Sequence, residues 1–262
     1  MIRKSVIALI VVVGALMLGS CASTARFKSI PITKDMEPQM LTGKLMKPRG
    51  NGPFPAVVML HGCEGLNDFY TIWAIRLRSW GYVTLRVDSF GPRGESNLCA
   101  PGRLNLITPS QRALDAYGAK SYLAELPFVD PNRIAVMGWS HGGGATLETV
   151  WDKSWLVNPG DPFRAGVAFY PYCYPLIVNA PLLILIGEKD DWTPAARCKA
   201  FFMIPTKETE HEIILKVYPG AYHCFDRPFD VQVHLGHWVG HNWKAASDAD
   251  VQVRSFLERH IQ

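Results

Sequence analysis

From about residue 40 onward the chain alternates between two rhythms. In one, short runs are almost wholly apolar: "FPAVVML" at 54–60, "YVTLRV" at 82–87, "RIAVMG" at 133–138, "GVAFYP" at 166–171, "PLLILIG" at 181–187 and "EIILKVY" at 212–218. Runs of this length bounded by Gly, Pro and charged residues predict strands buried on both faces. In the other, apolar residues recur three or four apart: "YTIWAIRLRSWG" up to Gly81, Pro109 to about Leu126 ahead of Pro127, "HGGGATLETVWD", "TPAARCKAFF", and Asp248 to His260. These predict amphipathic helices with recognisable stops. Strands alternating with helices predict an α/β fold, a mostly parallel sheet covered by helices on both faces. Before this series, residues 21–28 read as a polar tether, and Phe27–Thr33 and Met40–Lys47 as two further strands. Residues 89–107, rich in Gly, Pro and Asn, read as a long loop. With no repeat and no linker, 29–262 reads as one domain. The stretch between Pro171 and Ala180 is too short for a helical lid, which predicts an open site shaped by the loops at 89–107 and 226–247.

The first twenty residues break this pattern. "MIRKS" supplies positive charge, and Val6–Leu18 is an apolar run too short to span a bilayer. "LGSC" follows and resembles the lipobox of bacterial lipoproteins, in which the cysteine, here Cys21, is lipidated and becomes the new first residue. Ala22 rather than Asp after it resembles the signal for onward sorting to the outer membrane. The expectation is a signal peptide over 1–20 and a lipid-anchored protein of the bacterial cell envelope, facing the periplasm. An ordinary cleaved signal or an uncleaved anchor are the alternatives. Export places the domain in an oxidising compartment. The remaining composition, 48% hydrophobic and 19% charged with a formal net charge of +4, supports a substantial core. It shows no basic cluster, so no nucleic-acid partner is expected.

Candidate chemistry collects where the apolar runs end. "RIAVMG" stops at Gly138-Trp139-Ser140-His141-Gly142, a G-x-S-x-G pattern that holds a serine hydroxyl out at a sharp strand-to-helix turn. Asp190 and Asp191 follow "LLILIGEK", and His223 follows "IILKVYPGAY". A serine hydroxyl is a poor nucleophile until an imidazole takes its proton, and the imidazole needs a carboxylate to orient it. Ser140, His223 and an aspartate are therefore the candidate catalytic residues, with acyl transfer as the chemistry. The oxyanion that forms needs N–H donors. The backbone N–H of His141 and that of Cys63, after "AVVML", are the candidates.

"LHGCEGLND", "RVDSFGPRG", "GWSHGG", "GEKDDWTP" and "PGAYHCFD" together resemble the dienelactone hydrolase family of α/β-hydrolases, over about residues 41–260. The resemblance implies a compact hydrolase without cofactor that acts on small-molecule esters or lactones, and it puts the orienting acid at Asp190 rather than Asp191. The namesake enzymes carry cysteine where this chain has Ser140, which shifts the expectation toward general carboxylic esters. Arg93 resembles a region that holds a substrate carboxylate, and Trp139 and Trp192 flank the triad as pocket candidates. His234, His237 and His241 have helical spacing, but no carboxylate or cysteine joins them as a metal set. Five cysteines follow Cys21. Cys63 and Cys99 lie in two loops at the same sheet edge, Cys173 and Cys198 flank neighbouring strand ends, and these are the two candidate disulfides, leaving Cys224 free; five reduced, buried thiols are the alternative. A silent binding protein of the same fold, a peptidase and a deacetylase are the rival functions.

Overall fold

The computed structural model describes residues 22–31, 35–152, 160–202 and 211–262. Its centre is an eight-stranded sheet: β1 (Ser23–Lys28), β2 (Met40–Met46), β3 (Phe54–Leu60), β4 (Val83–Asp88), β5 (Val129–Trp139), β6 (Gly166–Phe169), β7 (Leu182–Gly187) and β8 (Ile213–Tyr218), in the order β1-β2-β4-β3-β5-β6-β7-β8. The strands β4, β3, β5, β6, β7 and β8 are parallel, and β1 and β2 join antiparallel at one edge. This is an α/β-hydrolase-type fold. The apolar runs are continuous because β3 to β7 are covered on both faces: every residue from Pro55 to Leu60 and from Leu182 to Gly187 is buried.

The helices α1 (Phe69–Ser79), α2 (Pro109–Ala124), α3 (His141–Val150), α4 (Ala195–Phe202) and α5 (Trp243–Ile261) connect or follow the strands. Packing pairs α2 with α3, while an Arg76–Asp250 ion pair at 2.5 Å joins α1 to α5. The start of α2 carries a reciprocal cap: Thr108 accepts from the Gln111 N–H, and the Gln111 side chain accepts from the Thr108 N–H, with Pro109 at the first helical position.

Three expectations are corrected. The presumed tether is a strand from Ser23, because Ala25 and Phe27 alternate inward with exposed Thr24, Arg26 and Lys28, and that alternation pairs with β2. The strand expected at Phe27–Thr33 therefore begins and ends earlier. The last helix starts at Trp243, where the Asn242 side chain accepts from the Ala245 N–H, five residues before the amphipathic pattern becomes clear. Separately, within the loop expected at 226–247, Gln232–His234 and His237–Val239 form a two-stranded hairpin, β9 and β10, so the helical spacing of His234, His237 and His241 corresponds to no helix. No helical lid lies over the cleft among the described residues. Cys21 and the segment expected to be a signal peptide, 1–20, lie outside the described residues.

Candidate active site

The strand β5 ends at Trp139, and Ser140 turns the chain into α3 with φ 53° and ψ −116°. A side chain at that backbone geometry is strained, and such strain collects at functional sites. The two flanking glycines are demanded by contact. A Cβ on Gly138 would lie 2.1 Å from the Gly142 carbonyl, and one on Gly142 would lie 2.1 Å from the Leu60 carbonyl. The elbow closes only because both lack a side chain, which is the physical content of G-x-S-x-G.

The loop after β8 brings His223 to the serine. Its Nε2 is 3.0 Å from Ser140 Oγ, and its Nδ1 is 2.7 Å from Asp190 Oδ2. Asp190 follows β7, is 4% exposed, and receives further donors: the N–H groups of Trp192 and Thr193 reach Oδ1 at 3.0 and 2.8 Å, and the Thr193 hydroxyl is 3.0 Å from Oδ2. The two backbone donors hold Oδ1, while Oδ2 takes the Thr193 hydroxyl together with the imidazole, so both oxygens are fixed in place. Asp191 points elsewhere: it accepts from the Trp238 N–H at 3.1 Å and stands 3.6 Å from His237. The fold thus brings together Ser140, His223 and Asp190, and not Asp191.

The loop His61-Gly62-Cys63 is held from several sides. Arg112 donates to the His61 carbonyl at 2.7 Å, Tyr70 accepts from the Gly62 N–H at 2.7 Å, and the Leu98 N–H reaches the Cys63 carbonyl at 2.7 Å. Disulfides join Cys63 to Cys99 and Cys173 to Cys198, with Cα separations of 4.8 and 5.0 Å, and Cys224 is free. The N–H of His141 stands in the first turn of α3, where no intrahelical acceptor exists. The Cys63 N–H has no hydrogen-bond partner among the described residues.

A cleft of ≈ 270 Å³ opens over Ser140, walled by Cys63, Glu64, Trp192, Arg227, Phe229 and His234. Both loops expected to shape it do so, through Asn97 and Cys99 on one side and the β9–β10 hairpin on the other. Two proposed substrate contacts do not reach it. Trp139 is fully buried, stacked on Phe169, with its Nε1 donating to Asp226 at 3.0 Å. Arg93 forms a two-pronged pair with Asp115, both distances 2.8 Å, because a buried carboxylate on α2 needs that charge more than the cleft does. Trp192 does line the cleft, its ring stacked 4.8 Å from His237.

Residues without an assigned role in the sequence complete the surroundings. Glu64 pairs with Arg227 and accepts from the Tyr70 hydroxyl. Burial alone would raise its carboxyl, but the Arg227 guanidinium and the Tyr70 hydroxyl outweigh it and hold it below the ordinary value. Asp226 accepts from Trp73 Nε1 (3.1 Å), Trp139 Nε1 and the Tyr170 hydroxyl (2.8 Å), and burial raises its carboxyl. His141 turns its side chain away, with Nδ1 2.8 Å from Arg112 and Nε2 3.1 Å from the Leu104 carbonyl. Burial, then Arg112, pushes it down to about 3, so it is neutral in use. Burial likewise lifts the Cys224 thiol to about 12. Glu64 and Asp226 stand inside the blocks "LHGCEG" and "HCFD", and charged residues beside apolar strand ends were the one available signal for them.

Residues 41–261 match the model of the dienelactone hydrolase family. A protein of Bradyrhizobium sp named "Probable 2-oxo-3-(5-oxofuran-2-ylidene)propanoate lactonase" is 25% identical over 204 residues, 71% of this chain and 79% of the relative. "Lipase 1" of a Moraxella species is 27% identical over 143 residues, 54% of this chain and 40% of that protein. Among solved structures, a dienelactone hydrolase-like promiscuous phosphotriesterase from metagenomic libraries superposes with a TM-score of 0.73 at 19% identity, covering 92% of this chain and all of that one. The dienelactone hydrolase of Anabaena variabilis gives 0.59 at 17% identity, over 91% of this chain and 99% of that one. At these identities the structural likeness speaks for the fold.

Proposed function

Because the chain belongs to the dienelactone hydrolase family, and is a hydrolase on that ground, we propose that it cleaves carboxylic esters or lactones through an acyl-enzyme on Ser140. The observation that carries this reading is the unbroken hydrogen-bonded series Ser140–His223–Asp190 at a strained elbow.

His223 Nε2 takes the Ser140 proton as Oγ attacks the acyl carbon, and the carbonyl π pair moves onto oxygen. That oxyanion is received by the N–H groups of Cys63 and His141, which are directed by a disulfide-bonded loop and a helix start. Collapse breaks the bond to the leaving alkoxide, which takes the proton from His223. Water then repeats the sequence: His223 removes its proton, hydroxide adds to the acyl carbon, and Ser140 leaves with the proton returned to it. Asp190 fixes the imidazole so that Nε2 faces serine and stabilises the imidazolium. Trp192 is the surviving aromatic substrate contact. A fluorophosphonate probe should label wild-type protein at Ser140 and leave Ser140→Ala unlabelled, with ester turnover down about 10⁴-fold or more in the variant. Folded wild type that neither labels nor turns over an ester panel would mean a binding protein instead.

We also propose that the protein is exported and lipid-anchored through Cys21. The sequence of the first 21 residues supports this, as do two disulfides, which persist in oxidising compartments.

A further inference from the structure

The two ends of the sheet differ in charge, and the chain enters at one of them. β4 runs toward the cleft, β2 is antiparallel to it with Met46 opposite Thr84, and β1 is antiparallel to β2 with Ser23 opposite Leu45. Ser23 therefore lies at the end where the parallel strands begin, remote from Ser140. The residues that gather at that end are strand starts and helix ends. Arg49 precedes β3, Arg78 closes α1 and Arg164 precedes β6, and none has a carboxylate partner among the described residues. The acids there are largely occupied: Asp130 pairs with Arg133, Glu212 with Arg259 and His260, and Glu258 with Arg254. Asp161 stands by Lys120, and Glu125 at the end of α2 offsets one arginine. A cleft of ≈ 670 Å³ on this end is lined by Lys120, Asn132, Arg164, His211, Arg259 and His260, with Asp161 the one acid among its walls. At the cleft end Asp68, Glu188, Asp191 and Asp230 are exposed, against the exposed cations Lys189 and Arg103, of which Arg103 is paired with Glu95.

We propose that the basic end rests on an anionic phospholipid surface and holds the catalytic cleft pointing away from it. The orientation rests on the anchor reading given above, and its geometry follows from the strand at Ser23. With Cys21 as the lipid site, only Ala22 separates it from β1, a Cα-to-Cα reach of about 7 Å; from the end of the apolar run at Leu18, Gly19 to Ala22 reach about 14 Å. A strand the length of β4 spans about 20 Å. Neither lead brings the cleft end to the bilayer. This matters because the cleft end offers a rival surface. On the hairpin, Val231, Val233, Leu235 and Trp238 lie about half exposed, on the face turned from the cleft, while Gln232 and His234 face into it. An apolar patch of this kind would seat in a bilayer if it reached one, and the lead is too short to let it. At the basic end, arginine guanidinium groups meet phosphate and glycerol head groups within one screening length of the surface.

The test uses the full chain, produced with its leader and reconstituted in phosphatidylglycerol/phosphatidylcholine vesicles or in phosphatidylcholine alone. Spin labels are placed at Asn132→Cys on the basic end and at Val233→Cys on the hairpin. The Asn132→Cys label should lose about fivefold or more of its accessibility to an aqueous nickel chelate in the anionic vesicles only, and the Val233→Cys label should keep its accessibility in both. Arg49→Glu/Arg78→Glu should restore access at the Asn132→Cys label. Equal access at the two labels, or protection at Val233→Cys, overturns the orientation. Mass spectrometry of the amino terminus is read separately. If Cys21 is unmodified, the anchor reading fails, and the basic end is judged by sedimentation. Salt-sensitive binding to anionic vesicles should then weaken by at least about 25-fold in Arg49→Glu/Arg78→Glu, about fivefold for each arginine lost and more for the acid put in its place. Binding that is absent, or indifferent to salt and to the variant, overturns the proposal.

Discussion

The elbow at Ser140 and the loop that carries His223 meet at 3.0 Å, yet they are built on opposite principles. The elbow is local: five consecutive residues, two of them glycines at which a Cβ would lie 2.1 Å from a carbonyl oxygen, fix where the hydroxyl stands. The loop after β8 owes its place to distant partners. Asp226 pins it to Trp73 on α1, Trp139 on β5 and Tyr170 after β6, Asp190 holds the imidazole, and the Gly240 N–H reaches the His223 carbonyl at 3.0 Å. A nucleophile can therefore be written into a short motif. A base has to be delivered by the whole sheet.

The sharpest way to break this contrast is at the carboxylates. Asp190→Asn should lower kcat about 10⁴-fold, as loss of the orienting acid does in the triad described for proteases, while Asp191→Asn stays within about threefold of wild type. Steady-state kinetics on one ester substrate decide it, and the reverse ranking would mean that the second aspartate moves in to orient His223. Next comes the anchor of the loop. Asp226→Ala leaves two indole N–H groups and a phenol hydroxyl buried without acceptors, so chemical denaturation should show a loss of about 4 kcal/mol. Turnover should fall as well, because His223 is three residues away. Full activity in that variant would show the loop to be self-supporting.

The disulfides sharpen the comparison at about 2–4 kcal/mol each. Cys63→Ser/Cys99→Ser and Cys173→Ser/Cys198→Ser should both lower the melting temperature. Only the first pair borders the proposed oxyanion donor, so only it should cut kcat strongly at a temperature where both variants are folded. The smallest effect is in pH. Burial, then Arg112, pushes both His61 and His141 below the ordinary imidazole value of 6.5, His141 to about 3. The unfolded chain therefore binds more protons than the folded one below about pH 6.5. Stability is fully present above that pH and is lost as pH falls toward the folded values. Melting temperature should drop between pH 7 and 5, and the slope should flatten in His141→Gln.

What was legible in the sequence had local causes. Continuous apolar runs mark strands buried on both faces, the glycine pattern marks the elbow, and the cysteines that pair flank neighbouring strand ends, three in loops and Cys198 in α4. The order Ser140, Asp190, His223 could be read because each follows an apolar strand. The tether at 21–28 was misread because only Ala25 and Phe27 carry the alternation of a short edge strand. Arg93 and Trp139 lie close in sequence to the right places and have carboxylates as partners, Asp115 and Asp226, which no spacing reveals. Glu64 and Arg227 are 163 residues apart and meet only because the loops after β3 and β8 converge above the sheet. The chain alone determined which groups stand at the strand ends, because burial and turn geometry act over a few residues. Only the tertiary structure decided which charges face each other, because desolvation and pairing depend on neighbours that the chain brings in from far away.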